Sequence, residues 1–68
     1  MKIIESKKDF INIILSKQET YLIFQSLEET SDHMSENDVI NIMNSTKQKL
    51  DMLKNDIGKA YQVMKEHE

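Results

Sequence analysis

The sequence contains no cysteine, no proline, no tryptophan and no arginine, and a single glycine, Gly58, among 68 residues. Without cysteine there is no disulfide framework, no thiolate metal site and no thiol nucleophile. One glycine cannot build a phosphate-cradling loop, which needs several residues free of a Cβ. With no proline and one glycine, the collagen-like, proline-rich and flexible-linker classes are excluded as well. The missing arginine removes the side chain best shaped to read guanine and phosphate bidentately. All nine cations are lysine, against twelve acids, for a net charge of −3 and a pI near 5.3. That balance argues against a dedicated nucleic-acid binder.

Charge is unevenly spread. Residues 28–38 hold five acids (Glu28, Glu29, Asp32, Glu36 and Asp38) and no lysine. No apolar run approaches the roughly 18 residues of a membrane span, and Met1–Ile4 gives way at once to polar residues. A cytoplasmic protein is the expectation, with no membrane partner. The wealth of Ile, Lys and Asn is a compositional hint of a low-GC bacterium or a phage.

What is present is helical patterning in a chain too short for a large core. A domain of this size buries only about 60% of its unfolded surface, and with no disulfide available a partner chain is the natural remedy. In the C-terminal half, Val39, Met43, Thr46, Leu50, Leu53, Ile57, Ala60 and Met64 follow a heptad rhythm. Met43, Leu50, Ile57 and Met64 fall at a, and Val39, Thr46, Leu53 and Ala60 at d. Ser35 with Asp38 marks a helix start, and Met34 with Val39 forms a hydrophobic staple. The pattern predicts one helix over residues 36–66, roughly 45 Å long. Gly58 falls at b, off the seam, where it costs about 1 kcal/mol relative to Ala without ending the helix.

The N-terminal half is less regular. Phe10–Leu15 and Tyr21–Phe24 are apolar blocks around Ser16–Thr20. As strands they would form a hairpin, but its turn lacks the usual turn residues. As a helix, Phe10, Ile14, Tyr21 and Phe24 fall on one wide apolar arc of about 200°, with Ser6 and Asp9 as an N-cap pair. The expected fold is therefore all-α, a single domain over residues 1–68. It comprises one or two short N-terminal helices within 6–31, a turn at 32–35 and the long helix at 36–66. So wide an arc calls for a second chain, which makes a homodimer with a bundle or coiled-coil-like core the expectation. The residues expected to self-associate are Val39, Met43, Leu50, Leu53, Ile57 and Met64, with Phe10, Ile14, Tyr21 and Phe24 packing on them. Leu53→Asp should then dissociate or unfold the protein.

No constellation for chemistry emerges. His33 and His67 have no nucleophile placed beside them. The acidic segment lacks the glycine and the alternating acids of a calcium loop. Neither catalytic residues, metal ligands nor a cofactor are expected. Lys47–Asp51 resembles the Ser-Gln-Glu-Leu-Asp signature of small sporulation aspartyl-phosphate phosphatases, with Lys47 and Lys49 at its Ser and Glu positions. Asp9-Phe10 and Met34–Val39 are similar in spacing to the haemolysin-expression modulators, which partner a nucleoid protein. There the family's acidic residue on the third helix would be Lys47. Neither resemblance carries a function across.

The expected role is a small, acidic, non-catalytic regulator or accessory protein that binds another protein through helix–helix contact. One alternative is a phage- or mobile-element-encoded inhibitor docking on a host enzyme through Glu28, Glu29, Asp32 and Glu36. Another is a weak nucleic-acid-associated modulator using the lysine face of the long helix.

Overall fold

A computed structural model describes residues 1–67 as an N-terminal β-hairpin followed by three helices. Strands β1 (Lys2–Ser6) and β2 (Ile11–Ile14) pair antiparallel, with Lys2 opposite Ile14, Ile3 opposite Ile13, Glu5 opposite Asn12 and Ser6 opposite Ile11. A bulge at Ile4 interrupts the ladder. Helices α1 (Lys17–His33), α2 (Glu36–Met43) and α3 (Lys47–Glu66) complete the chain. The chain is mostly helical, and the all-α expectation is corrected by the two-stranded sheet.

The correction has a local cause. Ile3, Ile4, Ile11, Ile13 and Ile14 are β-branched, and stiff side chains of this kind favour the extended backbone. The turn lies at Lys7–Phe10, closed by the Lys7 N–H donating to the Phe10 carbonyl at 2.8 Å, and not at Ser16–Thr20. Ser16 instead begins α1 with a full capping box. Its Oγ accepts the Glu19 N–H at 3.1 Å, while the Glu19 carboxylate accepts the Ser16 N–H at 2.9 Å. The expected cap pair Ser6–Asp9 lies at the hairpin turn.

The second correction is a break in the long helix. Asn44 ends α2 in the left-handed conformation at φ 52° and ψ 43°, and its N–H donates to the Ile40 carbonyl at 3.2 Å. Asparagine tolerates this region better than other residues with a Cβ. Thr46 then caps α3 by accepting the Lys49 N–H at 3.2 Å, and α3 runs unbroken through Gly58. Ser35 starts α2 by accepting the Asp38 N–H at 3.2 Å.

Helices α1 and α3 lie antiparallel. From one end of their contact to the other, Ser31 donates to Asp51 Oδ1 at 2.5 Å, Phe24 faces Gly58, and Tyr21 meets Tyr61 with ring centroids 5.1 Å apart. The α1 residues buried at this crossing are small and polar: Thr20, which bonds back to the Ser16 carbonyl at 2.9 Å, and Ser31. Their size lets the backbones approach. Val39, with no exposed surface, pins α2 onto the start of α3 beside the buried Leu50.

Candidate functional site

Neither strand packs against a helix among the described residues. Most of the hairpin's isoleucines are exposed, which is unusual for a sheet this rich in isoleucine. In an antiparallel ladder, directly opposed residues share a face. Ile3, Ser6, Ile11 and Ile13 therefore occupy one face, and Lys2, Glu5, Asn12 and Ile14 the other. On the first face Ile3 is 62% exposed and Ile11 57%, while Ile13 is half-buried. Phe10 at the turn is exposed as well. A two-stranded hairpin alone is marginal in water, and this much uncovered apolar surface is uncommon on a small monomeric fold.

Beside the hairpin, Met1, Leu15, Leu22 and Ile23 line an open groove of about 210 Å³. Glu19 closes one side of it. Its Oε2 accepts from the Met1 ammonium while Oε1 caps α1, so one carboxylate fastens the first residue to the first helix. The ammonium and, next, the Ser16 N–H hold the Glu19 carboxyl down at about 2, against its ordinary 4.5. A carboxyl whose folded-state pKa is depressed stabilises the fold above its unfolded value and loses that contribution as pH falls through the folded one. The tether is therefore expected to hold at pH 5 and above, weaken as pH drops below about 4.5 and be lost near 2. Amide exchange in β1 and the first turn of α1, followed across that range, should accelerate. Glu19→Gln should accelerate it at neutral pH and flatten the acid dependence. An unchanged profile in that variant would remove Glu19 as the fastener.

The residues expected to self-associate are divided by the fold. Leu50, Ile57, Tyr21, Phe24 and Met64 lie at or near the α1–α3 layer, with Leu50 buried and Ile57, Phe24 and Met64 half-buried. Val39 is buried on α2, and Met43, 45% exposed at its end, borders an open groove with Leu53. Leu53 is 50% exposed. Phe10 and Ile14 belong to the hairpin, away from the helices they were expected to cover. The seam expected to receive a second chain is thus split, with Val39 and Leu50 buried and Met43, Leu53 and Ala60 exposed.

The acidic candidates are dispersed as well. Glu28, Glu29 and Asp32 lie on the last turns of α1 and not in a connecting turn. Glu29 pairs with His33 Nε2 at 2.8 Å, and the Glu36 carboxylate accepts the Lys47 N–H at 3.3 Å, helping to cap α3. Among the described residues no cluster of three or more His, Asp or Glu side chains could hold a metal ion, and no helix is long and apolar enough to cross a membrane. Of the lysines on the long C-terminal stretch, Lys54 lies 3.9 Å from Asp51 and Lys65 5.8 Å from the Tyr61 ring centre.

The hairpin face is the feature that sequence reasoning missed. Ser16-x-x-Glu19 was the available signal, since it dates the helix start to Lys17 and leaves Phe10–Leu15 outside it. Compared with protein-family models, with curated proteins and with solved structures, the chain matches none.

Proposed function

We propose that this chain is a non-catalytic protein-binding regulator or accessory protein whose docking surface is the apolar hairpin face of Ile3, Ile11 and Ile13. The observation that carries the reading is the hairpin itself: a sheet of isoleucines with no helix behind it. Such a face costs the free protein stability and solubility, and it is explained if a partner removes it from water. Each isoleucine fully covered is worth about 1.5–3 kcal/mol relative to exposure. Several together can therefore support a specific complex. This moves the expected interaction from the helix seam to the N-terminal sheet.

A photoreactive residue placed at Ile11, in the chain expressed in its source cell, tests the reading against the same residue placed at the exposed Asp56 on α3. Adducts with a different protein are expected from Ile11 and not from Asp56. Equal labelling from both positions, or adducts from Ile11 with nothing but other copies of the chain, would overturn it.

A further inference from the structure

The two edges of the hairpin are built differently. β1 carries Lys2, Glu5 and the bulge at Ile4, all devices that stop a strand from accepting another beside it. β2 reads Ile11-Asn12-Ile13-Ile14, with no charge, no proline and no bulge of its own. One edge is closed to further pairing and the other is open.

We infer that a second copy of this chain pairs antiparallel along the β2 edge, giving a four-stranded sheet in the order β1-β2-β2-β1. The inference deepens the proposed docking role, because it says how the face that receives the partner is assembled. Three observations favour a second copy as the occupant of the edge. First, the assembly closes. A two-fold axis through paired β2 strands leaves only the two bulged, charged β1 edges outside, so growth ends at two copies.

Second, there is surface to spare. A compact monomer of 8.0 kDa exposes about 4,450 Å² by the usual scaling with mass, whereas this chain exposes 5497 Å². The surplus of about 1,000 Å² is surface that the single chain leaves uncovered beyond what a compact monomer of its mass exposes. Its dimensions of 38 × 29 × 14 Å are those of a flat plate, not a ball.

Third, β2 itself carries no charged residue, so the paired strands bring no like charges together along Ile11–Ile14.

Geometry then fixes the consequence. With the two-fold axis normal to the sheet, each copy keeps the same face upward, so pairing joins residues of the same face. Ile3, Ile11 and Ile13 of both copies form one continuous apolar surface, twice the area that a single hairpin offers. Four strands also remove the marginal stability of two.

Light scattering on the full chain should give about 16 kDa at high micromolar concentration, twice the 8.0 kDa of one copy. Ile13→Lys, which sets like charges close together across the two-fold, should halve the mass, while Ile4→Lys on the closed edge should leave it at the dimer value. Exchange measured on the unmodified protein keeps the test independent of either variant. Diluting it through the transition should release the amides of β2 at least tenfold faster, with those of α3 unaffected. An 8.0 kDa mass at every concentration would overturn the inference, as would a dimer whose β2 amides exchange at the same rate on dilution. A monomer that still labels a different protein from Ile11 would end the pairing and leave the docking role standing.

Discussion

Replacing Leu50 by aspartate is expected to unfold the chain, while the same change at Leu53, three residues on, leaves the helices folded. Leu50 is 7% exposed and Leu53 50%, so one change puts a carboxylate into the core and the other puts it into water. Among the described residues, Val39 and Leu50 are the two hydrophobic ones buried outright. A domain of this length has only about 3–10 kcal/mol of stability at the usual 0.05–0.15 kcal/mol per residue. Leu50→Ala alone should remove about 2–5 kcal/mol. Aspartate adds the cost of placing a charge in the core, and the total exceeds what the fold has to lose. Leu53→Asp should stay within about 0.5 kcal/mol, as substitutions on exposed helix positions do. Urea unfolding followed by far-ultraviolet circular dichroism separates the two. A cooperative transition retained in Leu50→Asp, or lost in Leu53→Asp, would mean that α3 presents a different face to α1.

The same contrast bears on the heptad pattern of α3. Leu50, Ile57 and Met64 do turn inward, but Leu53 and Ala60, which complete the seam on paper, are exposed. The inward face is filled instead by Asp51, Gly58 and Tyr61, one position or four after the residues of the a series. This is the wider stripe of a helix packed in a globular domain, rotated away from a coiled-coil seam. It was hard to see because a glycine and an aspartate do not look like core. Only the partner helix, with Phe24 to fill the space of the missing side chain and Ser31 to bond the carboxylate, makes them so. Asn44-Ser45-Thr46 carried a legible stop-and-restart signal, a left-handed asparagine followed by a capping threonine. A heptad that happened to keep its phase across the break concealed it.

The hairpin face was less legible for a different reason. Isoleucine runs fit a helix arc and a strand equally well over a few residues, and length does not separate them. Register decides, and register depends on which strand pairs with which. Nothing local in Ile11–Ile14 says that its partner is Lys2–Ser6, twelve residues upstream at the far end of the ladder, where Lys2 pairs with Ile14. Once the pairing is known, three isoleucines fall on one face and the asymmetry between a charged edge and an uncharged one becomes visible.

Gly58→Ala, in contrast to most glycine replacements inside helices, is expected to destabilise. In an open helix the change gains about 1 kcal/mol, because alanine restricts the unfolded chain and favours helix. Here a Cβ on Gly58 would lie 2.9 Å from Phe24 Cε1 and 3.3 Å from Cδ1, inside contact distance. The φ of Gly58 is not positive, so the residue is there for the space it leaves and not for its backbone freedom. The ring has to move, and forcing extra volume into a packed contact costs about 1–3 kcal/mol. The net is a loss of about 1 kcal/mol, or roughly 4–8 °C in Tm for a domain of this size. Tyr21 and Tyr61 meet at a tilt one helical turn along the same interface, so their near-ultraviolet dichroism should change with the shifted ring. The cause can be isolated by making the same change in a Phe24→Leu background, where the smaller side chain can give way. There Gly58→Ala should recover the ordinary helix gain and raise Tm. If it raised Tm in the native background too, the α1–α3 contact would be looser than Phe24 against Gly58 implies, and the antiparallel register of the two helices would have to be redrawn.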